Sequence, residues 1–168
     1  MQYSVGVEYA LHCLTYLIDL PSGSSISIKD LATYQGVSET YLSKSFTKLA
    51  KAGIIRSMPG VKGGYQLARG PEHISFWDVV EAIEGSTPIF QCQEVRQNCV
   101  LLQGEEMPDY IRCAPCAIKV VMTDAEEQMR QYLKGKSLAW LQKELNEKIP
   151  RERQEATSRW FQQAIIRR

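Results

Sequence analysis

Four cysteines crowd one stretch of this 168-residue chain, spaced Cys92-x6-Cys99-x13-Cys113-x2-Cys116. Thiolates bind soft metal centres and exchange with disulfides, so this spacing allows three chemistries. An iron–sulfur cluster, 2Fe–2S or 4Fe–4S, takes Cys92, Cys99 and one or both of Cys113 and Cys116. A tetrahedral zinc ion takes all four. A thiol–disulfide switch uses Cys113 with Cys116, or Cys92 with Cys99. Four unligated thiols, with no cofactor, are the plain alternative. No histidine follows His73, so a downstream imidazole ligand is excluded. The fifth cysteine, Cys13, lies on an apolar helical stripe and reads as a small core hydrophobe.

A second group of residues suits a polyanion. From Ser38 to Arg69 the cations Lys44, Lys48, Lys51, Arg56, Lys62 and Arg69 face Glu39 alone, although the whole chain carries only +1. Charge is therefore focused on one segment, where it can steer nucleic acid. Ser38, Thr40, Tyr41, Ser43, Lys44, Thr47 and Lys48 fall on one face of a helix whose other face carries Leu42, Phe46 and Leu49. Hydroxyls and ammonium groups suit phosphate oxygens and base edges. Beyond the helix, Gly60, Gly63 and Gly64 permit a tight tip that brings Lys62 close to a DNA backbone.

The elements that position these groups follow from periodicity and punctuation. Val7, Ala10, Leu11, Leu14, Leu17 and Ile18 mark a first helix, stopped by Pro21-Ser22-Gly23. Ser27 with Asp30 signals the start of a short helix running to Tyr34, and Gln35-Gly36-Val37 is a turn. Ser38 caps the next helix, which Gly53 ends. Ile54–Ser57 and Tyr65–Leu67 read as strands around the Pro59–Gly64 tip. Ser75 caps a helix carrying Phe76, Val79, Val80 and Ile83, and Gly85 stops it. Residues 86–112 lack periodicity and read as a long loop. Ile118, Val121, Met122, Ala125, Met129 and Tyr132 mark a long helix from Pro115, which would put Cys113 and Cys116 at its positive end. Ser137 caps a further helix, broken by Pro150, and a basic segment follows.

The fold class expected is mainly α with a small β-hairpin: a winged helix-turn-helix with a long helix appended. No run approaches the roughly 18 apolar residues of a membrane span, and the first residues lack a secretory pattern, so the expected location is cytoplasmic. Cys-Ala-Pro-Cys also fits a thioredoxin-like pair, but no βαβ pattern surrounds it. No nucleophile–base pair or phosphate-cradling loop stands out, so no enzyme is expected.

The sequence resembles the Rrf-two family of bacterial winged-helix regulators, which includes iron–sulfur, nitric-oxide and cysteine-metabolism repressors. The matching residues include Tyr9-Ala10-Leu11, Leu31-Ala32, Gly36-Val37-Ser38, Tyr41-Leu42, Ala52-Gly53-Ile54-Ile55, Gly63-Gly64-Tyr65 and Ile83-Glu84-Gly85. The resemblance covers about residues 1–148. It implies a homodimer bridged by the long helix, a near-palindromic double-stranded DNA operator, and loop cysteines that hold a cluster controlling DNA affinity. Two positions depart from the family pattern. Pro59 stands where known members carry a wing arginine, and Ser43 where some carry a discriminating glutamate. A different operator is therefore expected, with Lys62 as a weaker substitute for the arginine fork.

The resulting layout is a DNA-binding domain over 1–85, a sensor loop over 86–114, a dimerisation helix and its successor over 115–148, and a basic helical tail over 149–168. The expected function is a homodimeric repressor whose cysteine loop controls DNA affinity. A cluster- or metal-binding interaction module and a CxxC thiol oxidoreductase are the alternatives.

Overall fold

The structure is a computed structural model that describes all residues except 1, 22, 61, 62, 105 and 168. Helix α1 (Val5–Thr15) buries Val7, Ala10, Cys13 and Leu14. Helix α2 (Ile28–Gln35) starts at Ser27, whose side chain accepts the Asp30 N–H at 3.0 Å. It ends at Gly36, whose φ of 72° lies in the left-handed region that glycine enters without steric cost. Helix α3 (Glu39–Lys51) then begins at Ser38. The turn between α2 and α3 is closed by the Val37 N–H, which donates to Ala32 O at 3.0 Å.

Strands β1 (Ile55–Met58) and β2 (Gly64–Leu67) pair antiparallel, with Ile55 opposite Leu67 and Met58 opposite Gly64. Strand β1 is shifted by one residue from the sequence reading, since Ile54 precedes it, and β2 ends at Leu67 as expected but starts one residue earlier, so Gly64 belongs to β2 rather than the tip. Ile26, which periodicity did not identify as extended, joins the hairpin. It exchanges two backbone hydrogen bonds with Tyr65, at 3.1 and 2.8 Å, along the free side of β2. A Cβ on Gly64 would stand 2.5 Å from the Ile26 carbonyl oxygen, so only glycine allows this approach. The Tyr65 ring meets Phe46 of α3 edge-on at 5.1 Å and ties the hairpin to that helix.

Helix α4 (Phe76–Glu84) starts with a reciprocal cap: the Ser75 side chain accepts the Asp78 N–H and the Asp78 carboxylate accepts the Ser75 N–H. It buries Trp77, Val79, Val80 and Ile83. The expected stripe included Phe76, which is instead half-buried beside Trp140 at 6.1 Å. Leu14, Leu31, Leu42, Phe46 and Leu49 are fully buried, each contributing about 1.5–3 kcal/mol over exposure.

After α4 come single 3-10 turns at Val95–Asn98 and Val100–Leu102, a one-turn helix α5 (Asp109–Arg112), and the long helix α6 (Ala117–Lys134). Helices α7 (Leu138–Lys148) and α8 (Arg151–Ile166) complete the chain. Two compact units result: one spans 87–132, the other joins residues 2–86 with 133–168. In the second unit the entry to α7 is laced to the entry to α4. Phe76 N–H donates to Lys136 O and Leu138 N–H to Ile74 O, both at 2.8 Å. Helix α8 lies on α1 and α2 through Phe161, whose ring is 4.7 Å from Tyr34 and 5.0 Å from Tyr16. Among the described residues no helix is long and apolar enough to cross a membrane.

Candidate nucleic-acid interface and cysteine loop

Helix α3 carries the candidate reading face, an exposed polar side opposite its buried stripe. Its cap, Ser38, accepts the Tyr41 N–H at 3.4 Å. Ser38, Glu39 and Thr40 are exposed, so the first-turn amides lie at an accessible, positively polarised helix end. Thr40, Tyr41, Lys44, Thr47 and Lys48 are exposed while Leu42, Phe46 and Leu49 are buried, so the amphipathic split is as the spacing requires. Ser43 is half-buried, and its carbonyl accepts the Thr47 hydroxyl at 2.9 Å. The Tyr41 ring is braced edge-on against Tyr9 of α1 at 5.7 Å, which orients its hydroxyl without hiding it.

Lys48 has a second engagement. Its Nζ donates to Ile83 O at 2.6 Å. That sets an ammonium at the C-terminal end of α4, where the helix dipole favours a cation. Lys48 thus fastens α3 to α4, while Lys44 belongs to the face alone. In the wing, Gly60 is exposed with φ of 108°, and the Gly63 N–H closes the turn on Gly60 O at 2.8 Å. Lys62 lies outside the described residues.

The four loop cysteines all fall in the 87–132 unit. Cys92 and Cys116 are half-buried; Cys99 and Cys113 are exposed. The long helix begins at Ala117, not Pro115, because Cys116 O is the first carbonyl to accept, from the Val120 N–H at 3.0 Å. Cys116 therefore stands at the positive end of α6 as expected, but Cys113 does not: it closes the C-terminal end of α5, with its N–H on Asp109 O at 2.8 Å. The Cys113–Cys116 pair thus sits between two helices, not after a strand.

Groups that the spacing did not single out shape this unit. Glu94, with φ of 47°, is the only non-glycine residue in the left-handed region among those described. Its N–H donates to Cys92 Sγ at 3.4 Å, and its carboxylate lies 3.2 Å from Arg96 Nε and 3.8 Å from Lys119 Nζ. Arg96 Nη2 also donates to Ile111 O at 3.0 Å and Ala114 O at 2.7 Å. Glu126 is buried, accepts the Ile89 N–H at 3.0 Å and pairs with Arg130. Only the placing of Arg96 between two cysteines hinted at these roles; Glu126 lies in the largely polar run 124–128, which reads as solvated surface. Thiol-only donors suit an iron–sulfur cluster or zinc. As they stand, though, no three Cys, His, Asp or Glu side chains among the described residues are close enough to hold a metal ion. Ligation would require the thiol side chains themselves to turn toward one another.

A family model described as Rrf2, iron-dependent transcriptional regulator, matches residues 3–144. Protein rrf2 of Nitratidesulfovibrio vulgaris is 37% identical over 86% of this chain and 89% of its own. The HTH-type transcriptional regulator NsrR of Halalkalibacterium halodurans is 31% identical over 81% of this chain and 99% of its own. Of solved structures, T. potens IscR superposes with a TM-score of 0.65 at 25% identity, covering 89% of this chain and 92% of that one. The oxidized form of Staphylococcus aureus CymR gives 0.60 at 27% identity, covering 84% and 96%.

Proposed function

We propose a function from one premise, that this chain belongs to the Rrf2 family of transcriptional regulators: it is a DNA-binding regulator that acts in the cytoplasm as a homodimeric repressor on a near-palindromic operator. The observation that carries this reading is the exposed face of α3 with its open amide end. The Ser38 end of the helix and Lys44 take phosphates. Thr40, Tyr41, Ser43 and Thr47 face base edges and sugars, and Lys48 adds charge from its seat on α4. Gly60 and Lys62 carry the wing to the backbone beside the adjacent minor groove. The exposed Ile118, Val121, Met122 and Tyr132 of α6, at helical spacing, support a partner helix.

The cysteines set when the protein binds. Cys92 and Cys99 with Cys113 or Cys116 would hold an iron–sulfur cluster, in keeping with the family model's iron dependence. A bound cluster supplies an oxidant-sensitive redox centre. The same thiols without it form a disulfide switch, the second reading, which the exposure of Cys99 and Cys113 favours.

Operators selected from random duplexes, read by fluorescence anisotropy, test the DNA assignment. Tyr41→Ala should weaken the selected site by about 1–3 kcal/mol. Lys44→Ala should weaken all sequences alike and lower the salt slope by about one. Unchanged binding in both variants would remove α3 as the reading helix. Light scattering of the free protein reads the dimer, which a monomer mass would refute. Visible absorption and iron analysis of anaerobically purified protein decide between cluster and thiol switch.

A further inference from the structure

The geometry points to Arg96 as the positioning residue that holds the two cysteine-bearing segments side by side, so that thiols from both act on one centre. This inference rests on the cysteine-loop reading above and deepens it. Arg96 lies between Cys92 and Cys99, and Ala114 lies between Cys113 and Cys116. The guanidinium joins the two segments directly, with Nη2 on Ala114 O at 2.7 Å and on Ile111 O at 3.0 Å. Ile111 O is a carbonyl in the last turn of α5, where acceptors lack helical partners and attract a cation. The third contact, Arg96 Nε to Glu94 Oε2 at 3.2 Å, fixes the plane of the fork.

Glu94 extends the brace in both directions. Its left-handed backbone is costly for a residue with a Cβ and persists only where surrounding contacts enforce it. That conformation turns its N–H toward Cys92 Sγ while its carboxylate meets Arg96 and Lys119. Lys119 lies in the first turn of α6, just past Cys116. One network therefore reaches from the Cys92 sulfur to the backbone within the Cys113–Cys116 pair. A solvated surface ion pair contributes little, but the Arg96 and Glu94 side chains are only 27% and 32% exposed, and two of the Arg96 bonds go to backbone carbonyls. A lysine lacks the planar fork that serves three acceptors from one head.

The test compares the full chain, R96Q and R96K. Reduced protein is treated with diamide, which takes two electrons and two protons from a pair of thiols, leaving a disulfide and the hydrazine. Mass spectrometry then maps the pairs. The wild type should join Cys92 or Cys99 to Cys113 or Cys116. In R96Q the ratio of these cross-segment pairs to the local Cys113–Cys116 pair should fall about tenfold, the scale of a lost charge-assisted hydrogen bond, and R96K should not restore it. Amide exchange at Arg112 and Cys113 should quicken in R96Q while Leu49 and Phe46 stay protected, showing that the variant is folded. An unchanged pair ratio in R96Q, or only local pairs in the wild type, overturns the brace. If DNA affinity ignores both oxidation and iron yet the ratio still falls, the sensing reading fails and the brace stands. If affinity responds and R96Q pairs as the wild type does, the brace fails and sensing stands.

Discussion

Phe161→Ala asks whether α8, beyond the segment that the family model matches, is a working part of the DNA-reading unit. The Phe161 side chain is 5% exposed, and its ring centre lies 4.7 Å from Tyr34, 5.0 Å from Tyr16 and 5.0 Å from Trp160. Truncating a buried phenylalanine costs about 3–5 kcal/mol, less where neighbours can settle into the space. Here the ring borders an open cavity of about 670 Å³ between α1, α2, α7 and α8, so packing on one side is already incomplete. That favours the lower end, about 3 kcal/mol. At roughly 2–4 °C per kcal/mol for a chain of this size, Tm should fall by about 6–12 °C. Ile166→Ala, on the same helix but 77% exposed, is the matched control and should change stability by less than about 0.5 kcal/mol. Calorimetry of both variants, with operator affinity measured well below Tm, separates stability from recognition. The α3 face is untouched, so affinity should hold within about threefold, less than 1 kcal/mol. A Phe161→Ala loss no larger than that of Ile166→Ala would refute the packing of α8 on α2.

Four further outcomes follow from the α4 cap, the wing, the core and the loop thiols. Ser75→Ala removes one half of the reciprocal cap on α4 and should lower the urea-unfolding free energy by about 1 kcal/mol; no change in midpoint would mean that the cap is replaced by solvent. Gly64→Ala sets a methyl group 2.5 Å from Ile26 O, so the bridge to Tyr65 must open at a cost of about 1–3 kcal/mol, visible as faster exchange of the Ile26 amide. Burial pushes the Cys13 thiol up from 9.0 to about 12. The folded state therefore holds the Cys13 proton that the unfolded state releases. Its stabilising effect is complete below pH 9 and is lost as pH rises from 9 toward 12, whereas Cys13→Ala should flatten that part of the stability curve. Maleimide should label Cys99 and Cys113 in native protein and spare Cys13, and rapid Cys13 labelling would contradict the packing.

Local chemistry made much of this molecule legible. Ser27, Ser38, Ser75 and Ser137 each cap the helix they precede, because a hydroxyl three residues before an amide is a local signal. The α3 stripe and the glycine wing were equally readable. What the sequence hid is non-local. Nothing near Ile26 announces a partner at Tyr65, so the third extended segment beside β2 stayed hidden. The Ser75–Ser137 bridge and the seat of Phe161 join residues far apart in the chain. The place of Cys113 depended on α5, a single turn too short for periodicity to register. Lys48 looked identical to Lys44 by type and face, and only the Ile83 carbonyl distinguishes them.

The discontinuity of the reading unit has a consequence for synthesis. Leu138 is fully buried and Phe161 nearly so, yet both are made after the entire 87–132 unit. A ribosome adding about 5–20 residues per second therefore releases α1–α4 seconds before the segments that complete their core. A nascent chain that stops early carries α3 without the Leu138 and Phe161 side chains that complete the core of its unit. The core around α1–α4 is thus completed only in chains that have already produced their cysteine loop.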